Sequence, residues 1–127
     1  MTMAAFALRR PNGKFIRTIN GDSFSRAVEA EVTAGRSLIG SDMTQLGKNG
    51  DPSDCKFTGG TFTNCDFTGA NLRGAHMVGC TTTGATLKRV DMREMRRAMD
   101  LWGSITLTDC MLNAMASYTG VATSAGH

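Results

Sequence analysis

Large apolar side chains recur at every fifth position through the middle of this chain. Phe57, Phe62, Phe67, Leu72, Met77, Leu87 and Met92 hold the set, with Thr82 as its one polar member. Two places before each stands a small or compact residue: Cys55, Gly60, Cys65, Ala70, Ala75, Cys80, Ala85 and Val90. Two places after come Gly59, Asn64, Gly69, Gly74, Gly79 and Gly84, then Arg89 and Glu94. A period of five matches neither the helical nor the extended repeat. It requires a chain that turns a corner once per repeat, with one small and one large side chain inward on each side. Gly or Asn falls near the corner, where a positive φ is tolerated.

The flanks read differently. Phe6 to Arg10 and Lys14 to Ile19 enclose Pro11-Asn12-Gly13, which predicts a hairpin. Asn20-Gly21-Asp22 breaks the second strand, and Asp22 or Ser23 caps a helix. Phe24, Ala27, Val28 and Val32 form one apolar face of that helix, and Gly35 stops it. Solenoid ends expose unpaired strand edges, so residues 1–36 serve as the N-terminal cap. Leu38 and Met43, with Ser41 at a small position, look like the first sides of the repeat, in a different phase from Phe57. Residues 45–52, with Gly47, Asn49, Gly50 and Pro52, are the loop that resets the register.

After Met92 a helical spacing competes. Met92, Met95, Met99 and Trp102 form a stripe, which predicts a short helix lidding the last coil. Trp102, Leu107 and Leu112 then return to the five-residue phase, with Ile105 and Cys110 at small positions, as a degenerate further coil. Residues 113–127 are the C-terminal tail, and Tyr118 to His127 is small, polar and expected to fray.

The motif of a small residue, Asn or Asp, Leu or Phe, any residue and Gly stands here as Ala70-Asn71-Leu72-Arg73-Gly74 and Cys65-Asp66-Phe67-Thr68-Gly69. It resembles the pentapeptide-repeat family, most strongly over 53–92. The resemblance implies an all-β solenoid, a right-handed quadrilateral β-helix, spanning 37–112 in this chain. It also implies a protein that is not an enzyme. Gly60 and Thr82 at inward positions, and the lack of Gly at Arg89 and Glu94, lead us to expect weaker packing on one face and an end to the repeat near Met92.

Length fits one domain. Charged residues make up 20% of the chain and hydrophobic ones 41%, which suits a globular protein. Cys55, Cys65, Cys80 and Cys110 share the small inward phase and form no Cys-x-x-Cys pair. They read as buried free thiols in a reducing, cytoplasmic setting, with no metal and no cofactor. Met1 to Leu8 is interrupted by Arg9 and Arg10, and no secretory signal or membrane span is expected. His76 and His127 have no partner placed nearby, and no catalytic motif is present. Outward Thr58, Thr61, Thr63, Thr68, Thr81, Thr83 and Thr86 suit a β-surface.

Charge gives the functional hint. Residues 37–72 hold four aspartates against two lysines, whereas 73–97 hold six cations against two anions. A net charge of +3 does not identify a nucleic-acid binder, and direct nucleic-acid binding is not expected. Some members of the family resemble duplex DNA and occupy the DNA clefts of type II topoisomerases. By that resemblance, Asp42, Asp51, Asp54 and Asp66 are the partner-binding candidates of an inhibitor acting on a DNA-binding enzyme or complex. A topoisomerase is one such target, and a bacterial defence complex another if the gene is a phage gene. The alternative is a structural or scaffold module for protein–protein interaction. The Met-rich end, with Met95, Met99 and Trp102, is expected to form a homodimer interface.

Overall fold

The computed structural model of the chain describes residues 3–95, 105–111 and 121–123. β1 (Ala4–Arg9) and β2 (Phe15–Gly21) pair antiparallel, with Phe6 opposite Ile19 and Leu8 opposite Arg17. The turn between them closes with Gly13 N donating to Arg10 O at 2.8 Å, and Gly13 takes φ +90. Alternation buries Leu8 and Ile19. The break expected over Asn20-Gly21-Asp22 falls after Gly21, where β2 ends. A Cβ at that position would strike the backbone of Ala27, so only glycine lets the strand continue beneath the helix.

That helix, α1, spans Phe24–Thr33. Ser23 is its N-cap, and its Oγ accepts from Arg26 N at 3.2 Å. At the other end Arg36 N donates to Glu31 O and Gly35 N to Val32 O, each at 3.0 Å, while Gly35 adopts φ +74. These paired bonds form a Schellman stop, which needs the left-handed residue that Gly35 supplies. Phe24, Ala27 and Val28 are buried. Glu31 is buried too, and it is held between Arg17 at 2.8 Å and Arg36 at 2.7 Å.

Beyond α1 the pairing is parallel and long in register. Lys56 bridges His76, Thr61 bridges Thr81, Asp66 bridges Thr86 and Asn71 bridges Asp91, always at a separation of twenty residues. The same separation joins β3 (Leu87–Lys88) to β4 (Ile105–Thr108), with Leu87 against Leu107, and Asp91 to Met111. Successive twenty-residue lengths of chain therefore lie one over another. Each side contributes only one or two paired residues before the next corner, so regular strand is scarce. At the N-terminal end the separation changes: Asp42 bridges Asp66, four residues further apart. The four extra residues fall between Leu46 and Lys56.

The corners explain the five-residue pattern. Gly60 N donates to Phe57 O, Cys65 N to Phe62 O, Ala70 N to Phe67 O and Ala75 N to Leu72 O, at 2.8–3.1 Å. Each is a four-residue turn that opens on the large residue and closes on the small one. Its third residue has positive φ: 77° at Gly59, 59° at Asn64, 74° at Gly69 and 75° at Gly74. That is the requirement of a type II turn, and it accounts for Gly and Asn at that place. Arg89 (φ 55°) and Glu94 (φ 58°) adopt it without the help of glycine.

Inside, Phe57, Phe62, Phe67, Leu72, Met77, Leu87 and Met92 are no more than 1% exposed. Phe57 meets Phe62 edge-on at 5.7 Å, and Phe62 meets Phe67 at 5.5 Å. The weaker packing expected at Gly60 is not found. A Cβ there would come within 2.6 Å of the Phe62 ring and 3.1 Å of Val32 on α1, so the gap is already filled by neighbours.

Two C-terminal expectations need correction. Met92 does not open a helix: it is buried in the five-residue phase, and the turn at Arg93 and Glu94 carries the repeat on to Met95. The i, i+3 spacing of Met92 and Met95 comes from a corner. Within the expected tail, β5 (Val121–Thr123) pairs parallel with β4, Ile105 against Val121, so this stretch does not fray. The rest of the expected helix, including Met99 and Trp102, lies outside the described residues.

Candidate interaction surface

The loop with the extra residues is tied to α1 by Asp51. Its carboxylate accepts from Ser25 Oγ at 2.6 Å, Ser25 N at 3.1 Å and Gly47 N at 2.9 Å. It thus satisfies a first-turn amide of α1 that the helix itself leaves unpaired. Asp54 is exposed and faces Arg26 at 3.6 Å. Asp42 and Asp66 share a bridge and a local geometry. In each, Oδ1 accepts from the Thr two places on, through its hydroxyl (2.6 Å) and its backbone amide (2.8 Å to Thr44, 2.9 Å to Thr68). Of the four candidate aspartates, three accept hydrogen bonds from the protein's own donors and the fourth, Asp54, makes only the longer ion pair with Arg26. Asp42 and Asp66 are brought side by side, whereas Asp51 and Asp54 stand beside α1.

A cleft of about 720 Å³ lies between α1 and the start of the repeat. Its Arg26 is paired with both acidic side chains of the lining. Arg26 reaches Glu29 at 3.3 Å as well as Asp54, and Glu29 Oε2 accepts from Lys56 N at 2.7 Å. His76 is half-buried and paired through its backbone with Lys56. Among the described residues no group of His, Cys, Asp or Glu has the arrangement of a metal site. The four cysteines are free and buried. Burial pushes the Cys55 thiol up to about 12 and the Cys80 thiol up to about 11, the reverse of what a nucleophile needs. Three of the four thiols donate to a carbonyl one coil below, Cys80 to Phe57 at 2.8 Å, Cys65 to Leu38 at 2.9 Å and Cys110 to Leu87 at 3.3 Å, whereas Cys55 turns to Pro52 O at 3.9 Å.

The charges of the repeat gather on some of its sides. Arg93 grips Asp91 with two bonds, of 2.8 and 3.0 Å, and holds its carboxyl below the ordinary 3.8. Arg73 binds Glu94 at 2.8 Å and lowers it likewise. By contrast, residues 37–41, 57–65 and 77–87 contain no charged side chain. These stretches are stacked on one another: Gly40 N donates to Thr63 O at 2.8 Å, Phe62 N to Thr81 O at 2.7 Å and Asn64 N to Thr83 O at 2.9 Å. Residues 57–65 and 77–87 form an uncharged wall whose outward residues include Thr61, Thr63, Thr81 and Thr83, with Val78 exposed along it; at 37–41 the Arg17 guanidinium reaches Ser37 O at 2.9 Å and that of Arg10 lies beside Gly40. The lengthwise division of charge expected from sequence is crossed by this sideways one. The lack of charge in these stretches is visible in the sequence, but their alignment appears only once the twenty-residue coil and its four-residue offset are known.

Met95 is half-buried against the core and Met111 is exposed; Met99 and Trp102 fall outside the described residues. No helix among the described residues is long and apolar enough to cross a membrane. No curated protein and no solved structure matches the chain. The family model of pentapeptide repeats, which implies a right-handed β-helix, does match, with eight copies over residues 53–94, and the central third of this chain is a run of pentapeptide repeats.

Proposed function

We propose that this protein is a non-enzymatic interaction module that holds a protein partner against its uncharged wall. Pentapeptide-repeat proteins are generally not enzymes and commonly mediate protein–protein contact. The working unit in this reading is a right-handed quadrilateral β-helix, capped at its start by β1, β2 and α1. The observation that carries the proposal is the absence of charge over 57–65 and 77–87 on stacked sides of the repeat. Interface centres are depleted of charged residues, because charges are costly to strip of water. A wall fixed by coil-to-coil hydrogen bonds also loses little freedom on binding. Thr81→Lys with Thr83→Lys tests it. Both side chains are exposed, so the fold should survive while capture of the protein partner from a bacterial lysate is lost. Undiminished capture would remove the wall from consideration.

Inhibition of a DNA-binding enzyme or complex by partial duplex mimicry is the second reading. The adjacency of Asp42 and Asp66, about 4.8 Å apart along the ladder, favours it as a short row of negative charge. On this reading Asp66→Asn and Asp54→Lys weaken capture, and duplex DNA competes with the protein for its target. Association of two copies through the end that carries Met95 and Met111 is a separate proposal, and light scattering at high concentration decides it.

A further inference from the structure

We infer that Asn49 is a site of spontaneous deamidation, and that the fold selects it from three Asn-Gly pairs. The chain contains Asn12-Gly13, Asn20-Gly21 and Asn49-Gly50. In such a pair the glycine backbone nitrogen attacks Cγ of the asparagine side chain. Ammonia leaves and a five-membered succinimide closes. Water then opens the ring at either carbonyl, giving aspartate or isoaspartate. The balance is one water consumed and one ammonia released, with no oxidant or cofactor. The attacking nitrogen must be free to lose its proton and to approach, and the side-chain amide must be free to swing.

Two of the pairs fail these conditions. Gly13 N is committed to Arg10 O at 2.8 Å, and Asn12 Oδ1 accepts from Lys14 N at 2.9 Å. Asn20 and Gly21 are strand residues, opposite Ala5 and Ala4, and Gly21 is pressed against the backbone of Ala27. Asn49-Gly50 meets them. Both residues are exposed; among the described residues neither the Asn49 amide nor Gly50 N has a hydrogen-bond partner, and none lies within 4 Å of where a Gly50 Cβ would stand. Asn49 at φ 54° and Gly50 at φ 84° sit at the tip of the loop between Lys48 and Asp51.

The position gives the reaction a consequence. Asp51, two residues on, ties this loop to α1, and its own amide donates to Lys48 O at 3.0 Å across Asn49-Gly50. Isoaspartate would insert a methylene into the backbone beneath that bond. Either product adds a carboxylate to a cleft of about 450 Å³ already bordered by Asp22 and Asp51. Net charge would fall by one from +3.

Incubation of the intact protein at mildly alkaline pH, with peptide mapping by mass spectrometry, tests the inference. The Asn49 peptide should gain the mass of an amide-to-acid exchange, and a share should report as isoaspartate. It should convert about tenfold or more faster than the Asn20 peptide, since the sheet must open before Asn20 can react. In strong denaturant the three rates should draw together, which would place the selection in the fold. Asn49→Gln should abolish the early charge variant. Native conversion led by Asn12 or Asn20, or an Asn49 that stays intact while the denatured chain reacts, would overturn the assignment.

Discussion

Asp51 Oδ2 lies 2.6 Å from Ser25 Oγ, and this contact fastens the loop between the first two coils to the first turn of α1. The same carboxylate takes Ser25 N and Gly47 N, so one half-buried side chain serves three donors from two segments. Its removal takes the acceptor from Ser25 N and Oγ and leaves Gly47 N only its longer bond to Ser25 Oγ at 3.3 Å. Asp51→Ala should lower stability by about 1–3 kcal/mol, the penalty for unsatisfied donors and a lost charge-assisted bond. Urea unfolding measures this, and a midpoint unchanged from the parent would show the contact to be incidental. A charge reversal at Asp51 is therefore a poor probe of partner binding, because it should unfasten the loop at the same time.

Leu72 stands at the inward large position one coil below Met92, and both are fully buried. Leu72 N donates to Asp91 O at 2.8 Å, which fixes the two coils in register. Leu72→Ala should cost about 2–5 kcal/mol, with the rigid frame of turns limiting collapse into the cavity. Thermal and denaturant unfolding give the number, and a cost well under the range would mean that the column repacks.

The sequence disclosed the coil because a single physical rule is repeated: a large side chain, a left-handed corner, a small side chain. Phe57-Thr58-Gly59-Gly60 states that rule as plainly as its geometry does. Contacts made once were not legible. Nothing in Asp51 or Ser25 announces that they meet across 26 residues, since the four-residue offset that joins them belongs to the folded path. Met92 and Met95 misled because a five-residue corner brings two apolar residues to helical spacing. β5 escaped notice because Ile105 and Val121 are sixteen residues apart, out of step with the twenty-residue coil. The acidic candidates looked free in sequence, yet Thr44 and Thr68 bind Asp42 and Asp66 through bonds within the same turn of chain. The uncharged wall needed the ladder before it could be seen as a surface.

Gly84 and Arg89 occupy equivalent corners and should respond oppositely to exchange. Gly84 has φ 73°, and a Cβ there would collide with Asn64 Oδ1. Gly84→Ala therefore adds both backbone strain and a clash, and should destabilise. Arg89 already bears the left-handed strain at φ 55° and is exposed. That conformation costs an ordinary L-residue about 1–2 kcal/mol. Glycine removes it but loses about 0.5–1 kcal/mol to the freedom of the unfolded chain. Arg89→Gly should thus be neutral or raise stability, by up to about 1.5 kcal/mol. A clear loss would mean that the Arg89 side chain has a packing role of its own.

At low pH the Asp91–Arg93 pair should show itself. The two bonds from Arg93 hold the Asp91 carboxyl below 3.8, so folding favours its ionised form. That contribution is complete above the unfolded value and is lost as pH falls through the folded one. Arg93→Met removes the cause. The stability gap between parent and variant should be widest above 3.8 and should close at more acidic pH. Melting temperatures taken across that range are the measurement, and a gap independent of pH would assign the loss to packing instead.

The thiols give the opposite limb. Burial raises Cys80 from 9.0 to about 11 and Cys55 from 9.0 to about 12, so the folded state keeps protons that the unfolded chain releases. Cys80 Sγ donates to Phe57 O at 2.8 Å, and a thiolate there would face a carbonyl oxygen with no proton between them. The folded protein binds more protons than the unfolded one above 9.0, and stability must fall with rising pH. The stabilising term is whole below 9.0 and disappears as pH passes through 11 to 12. Burial raises Cys65 and Cys110 as well, so Cys80→Ala deletes one of four such groups and should flatten that decline in part, although it costs stability at neutral pH through the smaller side chain. The same burial should keep the native thiols slow toward iodoacetamide near pH 9.0, where the unfolded chain reacts freely. Native labelling of Cys80 as fast as in urea would mean that the coil opens readily, and an alkaline decline unaltered by Cys80→Ala would place the sensitivity elsewhere.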